Sequence, residues 1–270
     1  TLLKGLAIST EFYPKPYYRN MCDIDILVEQ RELKQVEQIM LASGYEQKSH
    51  LPDEFYKTHL HPKPWQHKTK DIWFEIHTGL FPKSSPCYPA KVFSLENQIY
   101  RLDHELQVIY IAIHWGESFK QIGGLFAFID IALIINNTQL NWEKLIHWSN
   151  EPCIANTLYI ILSYLVRNNF VNDSLIKPYL KHINHSLGFI DILLLNKFID
   201  NYLLVGKPFG RVLTINNIGI LWKLLLSPIP AYKKLILMPA YIISPPQPNK
   251  KFDLALQLSR IKHLLFKSSQ

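Results

Sequence analysis

Seven residues constrain the fold of this chain more than any other stretch. Residues 22–28 read Cys22-Asp23-Ile24-Asp25-Ile26-Leu27-Val28, in which acidic and apolar side chains alternate. In an extended strand successive side chains point to opposite faces, so Ile24, Ile26 and Val28 share one face and Asp23 and Asp25 the other. Such a strand needs a sheet with one apolar face and one polar face, because burial on both sides would leave two carboxylates in the core. Two aspartates at i and i+2 also set their Cβ atoms ~6–7 Å apart, close enough to grip one divalent cation or two adjacent ones. Asp-x-Asp by itself is common on solvated strands, so its meaning depends on its neighbours.

The first such neighbour is Ile72-Trp73-Phe74-Glu75-Ile76-His77, which alternates in the same way. Ile72, Phe74 and Ile76 share one face, while Trp73, Glu75 and His77 share the other. If the two strands are close, Glu75 supplies a third carboxylate, and His77 lies on its face to orient it or to contact substrate. Three crowded carboxylates repel one another, and a hard cation such as Mg²⁺ compensates them. Lys4-Gly5 upstream and Arg19, four residues before Asp23, add positive charge suited to phosphate. Replacing Asp23 or Asp25 by Asn is therefore expected to stop cation-dependent chemistry and to leave folding intact or improved.

Between these strands, Leu33, Val36, Ile39 and Met40 recur at helical spacing within residues 31–43, with Gly44 where a helix C′ residue belongs. Residues 55–60 read as a further strand that pairs with 72–77. From Asp103 onward the periodicity is helical, with Asp103, Asn141 and Asp173 as N-caps. Helices are expected over 103–115, 125–136, 142–150, 154–168, 174–182, 188–204, roughly 216–243 and 252–266. The seventh is bent or broken at Pro228, Pro230 and Pro239, and Pro245-Pro246-Gln247-Pro248 makes a stiff loop before the last. The expected fold is α+β: a small mixed β-sheet core with flanking helices in residues 1–100, then an all-helical part, residues 101–270, forming one wall of a cleft.

Composition fits a folded chain. Of 270 residues, 48% are hydrophobic and 19% charged, which excludes intrinsic disorder, and 10 glycines, about half the usual share, exclude glycine-rich repeats. Cys22, Cys87 and Cys153 lie far apart without a Cys-x-x-Cys pair, so no disulfide framework or thiolate zinc site is indicated. A reducing, cytoplasmic setting is expected. Charges interrupt the greasiest segments at Asp191, Lys197, Asp200, Lys223, Lys233 and Lys234, so no transmembrane span is expected, and core packing explains them better than membrane-surface contact. The chain opens at Thr1-Leu2-Leu3 as if in the middle of a strand, so upstream residues are expected. The net charge of +7 is spread over Lys63, Lys68 and Lys70 and over Lys250, Lys251, Arg260, Lys262 and Lys267, which read as solvated faces. No recognised nucleic-acid module accompanies them, although an RNA acceptor is compatible with them.

Taken in order, Leu2-Leu3-Lys4-Gly5, Tyr13-Pro14, Arg19-x-x-x-Asp23-Ile24-Asp25-Ile26-Leu27-Val28, Gly44-Tyr45 and Glu75-Ile76-His77 form a longer signature. His114, Asp130-Ile131-Ala132-Leu133 and Asn141-Trp142-Glu143-Lys144-Leu145 continue it. This series resembles the uncharacterised nucleotidyltransferase family of the DNA polymerase β-like superfamily over at least residues 1–170, and more loosely in the Pro-rich C-terminal region. The resemblance implies a small mixed sheet with flanking helices and a site for two Mg²⁺ ions, with Mn²⁺ also compatible. It implies transfer of a nucleoside monophosphate from an NTP such as ATP to a hydroxyl or similar acceptor, with release of pyrophosphate. The acceptor class, whether small molecule, peptide, protein or RNA, is left open.

Position by position, the resemblance makes Asp23, Asp25 and Glu75 the metal ligands and catalytic carboxylates, with Glu75 activating the acceptor hydroxyl. It turns Lys4, Gly5 and Arg19 toward the triphosphate. The superfamily's Gly-Ser or Gly-Gly pair is Gly5-Leu6 here, so one small residue rather than two lets the backbone approach phosphate. The alternative is a nucleotidyltransferase-like scaffold that binds a nucleotide or a partner protein without turnover. Asp130 and His114 are expected to face the cleft as substrate contacts or orienting groups.

Two further sets carry weaker signals. His59 and His61, with His67 and His77, could bind zinc, although such histidines are more often surface residues. Tyr17, Tyr18, Trp65 and Trp73 could stack on a nucleobase, but with 13% aromatic residues packing is the default.

Overall fold

The structure is a computed structural model and describes residues 1–48, 63–80, 92–96, 99–117, 125–149 and 152–198. The strand expected at 55–60, the His59 and His61 pair and everything expected beyond residue 198 lie outside the described residues. The described elements run α1 (Lys4–Phe12), β1 (Ile24–Leu27), α2 (Leu33–Ala42), β2 (Tyr45–Gln47), β3 (Trp65–His67), β4 (Trp73–His77), β5 (Val92–Glu96) and β6 (Ile99–Leu102). They continue with α3 (His104–Glu117), α4 (Leu125–Asn137), α5 (Trp142–Trp148), α6 (Pro152–Arg167), α7 (Asp173–Ser186) and α8 (Phe189–Phe198). Short 3₁₀ turns lie at Pro16–Tyr18 and Gln30–Glu32.

Four strands form a small mixed sheet in the order β1-β4-β3-β2. β1 runs parallel to β4, while β4 with β3 and β3 with β2 are antiparallel. Alternation decides its two faces. Ile26, Val28, Tyr45 and Phe74 pack with buried Met40, Trp65 and Ile76 and with Leu33 and Val36 of α2. Burying Ile76 completely contributes about 1.5–3 kcal/mol. Gly44 ends α2 with φ +84°, the left-handed C′ geometry in which glycine pays no steric penalty, and the chain enters β2 at once.

β5 and β6 pair as an antiparallel hairpin, and the first residues of the chain run between it and β1. Leu2 bridges both Ile26 and Arg101, the Leu3 N–H donates to the Asp25 carbonyl at 3.1 Å, and the Leu27 N–H donates to the Thr1 carbonyl at 2.8 Å.

The helices begin where capping chemistry allows. Asp103 Oδ1 accepts the Leu106 N–H at 2.7 Å, and Asn141 Oδ1 accepts the Lys144 N–H at 3.0 Å. At α7 the cap is Asn172 rather than the expected Asp173, because Asn172 Oδ1 takes the Ser174 N–H at 3.0 Å. Asp173 becomes the first helical residue, where its charge still favours the positive helix end.

The chain divides into two compact units. The first, Thr1–Ala112 with Leu125–Trp148, holds both sheets together with α1, α2, α4 and α5. The second takes Ile113–Gly124 and Ser149 onward, and in its described part Leu158, Ile161, Leu165, Ile176, Tyr179 and Leu195 are buried. Among the described residues, no helix is long and apolar enough to cross a membrane.

Candidate active site

The parallel pairing of β1 with β4 sets Asp25 opposite Glu75 and Leu27 opposite His77. With a side-chain period of two, Asp25, Glu75 and His77 emerge on the face away from the α2 core. One ligand atom from each of these three lies within 4.8 Å of the others, so the group could hold a metal ion. Two carboxylate oxygens and an imidazole nitrogen suit a divalent cation.

Asp25 is the hub: its Oδ1 lies 2.8 Å from Lys4 Nζ and 2.9 Å from His77 Nε2. Glu75 Oε2 is 3.8 Å from the same His77 nitrogen. That nitrogen serves one purpose at a time. As N–H it donates to Asp25, and without its proton it offers a lone pair to a cation.

The environment drives these carboxyls apart. Burial would raise Asp25, but the His77 hydrogen bond and the Lys4 ammonium outweigh it and hold the group well below the usual carboxylate range. Burial, then the charges of Asp25 and Asp23, push Glu75 up to about 7. Burial and the Asp25 charge also raise Asp23. One carboxylate kept ionised beside another poised near neutrality is a pattern typical of acid–base sites. The ligand group differs in one member from the sequence expectation, since His77 stands in it and Asp23 does not. Asp23 remains near enough to act on Glu75 through its charge.

Lys4 opens α1 with φ 43°, in the left-handed region that side chains other than glycine seldom occupy. Gly5 is buried, and an added Cβ would meet Met21 Cγ at 3.1 Å, Met21 Sδ at 3.2 Å and Arg19 Cζ at 3.4 Å. Leu6 is half-buried.

Arg19 reaches the same place and is held there by Asp130. Its Nε lies 3.2 Å from both Asp130 oxygens, its Nη2 lies 3.0 Å from Oδ2, and its Nη1 donates to the Asn20 carbonyl. The Phe126 ring lies 4.5 Å from the guanidinium carbon. Tyr13 Oη donates to Asp130 Oδ1 at 2.9 Å, a partner that sequence reasoning did not find. Burial raises the Asp130 carboxyl, against the lowering effect of Arg19 and Tyr13. His114, half-buried on α3, falls in the second unit.

The aromatic residues part company. Trp65 is buried, and the Trp73 Nε1–H donates to Asp71 at 3.0 Å, whereas Tyr17 and Tyr18 are 70% and 58% exposed and meet edge to face. Packing therefore does not account for the two tyrosines. His67 lies on β3 edge-on to Tyr45, and Cys22 carries an exposed free thiol.

No curated protein and no solved structure matches this chain. Residues 1–168, which include every member of the group around Asp25, match the family described as uncharacterised nucleotidyltransferase, and the chain belongs to that family.

Proposed function

We propose that this protein is a Mg²⁺-dependent nucleotidyltransferase that moves a nucleoside monophosphate from an NTP, ATP being the first to test, to an acceptor hydroxyl. The observation that supports this reading is one constellation: Asp25, Glu75 and His77 within a single ion's reach, with Lys4 on Asp25, in a chain of this family. Asp25, Glu75 and His77 would hold the cation, and Asp23 adds a carboxylate for a second ion. When bound, the cation supplies charge neutralisation for the phosphate oxygens.

The rest falls to the chain's own groups. Lys4 and the backbone at Gly5 offer positive charge and close approach to the triphosphate. Glu75, ionised in the loaded site, takes the proton from the acceptor hydroxyl as that oxygen attacks the α-phosphorus. The bond from the α-phosphorus to its bridging oxygen breaks, and pyrophosphate leaves. Before the cation enters, His77 orients Asp25 through their hydrogen bond, which its nitrogen gives up to hold the ion.

The test is incubation with each labelled NTP, Mg²⁺ or Mn²⁺, and pools of small-molecule, peptide, protein and RNA acceptors. Wild-type protein should release pyrophosphate and label one pool, and Asp25→Asn should do neither. Leu6 behind Gly5 favours a second reading, a scaffold that binds nucleotide without turnover. Tight NTP binding with no transfer to any pool would decide for it.

A further inference from the structure

Asp130 ties together two ends of a loop. Tyr13 Oη donates to its Oδ1 at 2.9 Å, and the Arg19 guanidinium pairs with both its oxygens at 3.0–3.2 Å, across 117 and 111 residues of sequence. Asp130 is only 1% exposed on α4, within the same compact unit as the sheet. Between Tyr13 and Arg19 run Pro14, Lys15, Pro16, Tyr17 and Tyr18. Two prolines fix backbone angles there, and a 3₁₀ turn closes with the Arg19 N–H on the Pro16 carbonyl at 3.2 Å.

This arrangement fixes where Arg19 points. Its guanidinium carbon lies 3.4 Å from where a Cβ would sit on Gly5, the residue after Lys4, whose ammonium is on Asp25. A guanidinium has five N–H bonds, and three are directed at Asp130 and Asn20. Among the described residues the other two make no hydrogen bond, and the side chain retains 14% exposure. A buried ion pair is a costly way to gain stability, so its use here calls for another explanation.

We propose that Asp130 is a positioning residue which, with Tyr13, aims the Arg19 guanidinium past Gly5 at a phosphate oxygen of the bound nucleotide. The proposal rests on the nucleotidyltransferase reading and assigns Asp130 a task within it, with no direct contact to substrate. A purely structural Asp130 would change melting temperature and leave nucleotide affinity unmoved.

The experiment measures affinity for a non-hydrolysable ATP analogue with Mg²⁺, below the melting temperature of each protein. The variants are Asp130→Asn, Tyr13→Phe, Arg19→Ala, Lys4→Ala and the Asp130→Asn/Arg19→Ala pair. Asp130→Asn and Arg19→Ala should each weaken binding about tenfold, and the pair no more than Arg19→Ala by itself, since both remove one interaction. Tyr13→Phe, which deletes a single hydroxyl, should weaken binding about two- to fivefold and decides the matter if Asp130→Asn does not fold. Wild-type affinity in Tyr13→Phe and in any folded Asp130→Asn would overturn the proposal, as would losses that simply multiply in the pair. If those variants bind normally while Lys4→Ala binds weakly, the positioning role fails and the site reading stands. If wild-type protein binds no triphosphate, both fall.

Discussion

At the residue scale the two aspartates of β1 and its approach are not equivalent. Asp25 is held ionised by His77 and Lys4, whereas Asp23 is pushed toward its neutral form by burial and by Asp25 itself. The sequence expectation that both Asn variants fold as well as wild type or better therefore divides. Asp25→Asn removes the carboxylate that pairs with the Lys4 ammonium at 2.8 Å and with His77, and should cost about 3 kcal/mol, whereas Asp23→Asn relieves a buried charge that Asp25 repels and should stabilise the fold at pH 7. Melting both variants in a chelating buffer checks this, and equal shifts would refute it. Glu75 makes a separate claim. Between its ordinary 4.5 and about 7 the folded chain keeps a proton that the unfolded chain has released, so its contribution to stability declines as pH rises through that window. A bound cation must expel that proton, so Mn²⁺ should raise the melting temperature more at pH 8 than at pH 6. Identical shifts at the two pH values would contradict the raised carboxyl.

At the element scale, legibility followed whether a segment carries its own period. β1, β4 and α2 repeat their pattern over enough residues to be read directly, and the core face of Ile26, Val28, Phe74 and Ile76 came with them. β2 and β3 have three residues each, Tyr45–Gln47 and Trp65–His67, too few for a period, and their pairing is a tertiary event. The turn into β2 was legible because only a left-handed residue ends α2 cleanly. Gly44→Ala should destabilise by about 1 kcal/mol, since its φ of +84° penalises any Cβ and His67 Nε2 lies 3.4 Å from that atom's place. Ile76→Ala, which empties the centre of the β4 core face, should cost about 2–5 kcal/mol. Denaturant unfolding of both variants tests whether core and turn rank in that order.

At the scale of the whole molecule, what the sequence could not show is what folding brings from far away. His77 meets Asp25 only through the β1–β4 register, 52 residues apart, and Asp130 meets Arg19 across 111 residues, a separation at which no local pattern survives. Alternation placed His77 beside Glu75, yet nothing local pointed to Tyr13 as a partner of Asp130. Ligand binding should act on the molecule through the first unit, which holds every member of the candidate site. Mg²⁺ with ATP at 100 times its dissociation constant stabilises a native state by about 2.7 kcal/mol, which here means a rise of about 5 °C or more in melting temperature. Chelation should reverse it, and Asp25→Asn should abolish it. Calorimetry with and without the chelator provides the check.

The left-handed backbone at Lys4 has a consequence for divergence. Glycine adopts φ 43° without the penalty, about 1 kcal/mol, that any side chain carries there. Among variants lacking the ammonium, Lys4→Gly should therefore be the more stable and Lys4→Ala the less. A descendant of this chain released from handling triphosphates would drift toward glycine at that position, so lysine and glycine there should sort working copies from retired ones when each is assayed for transfer.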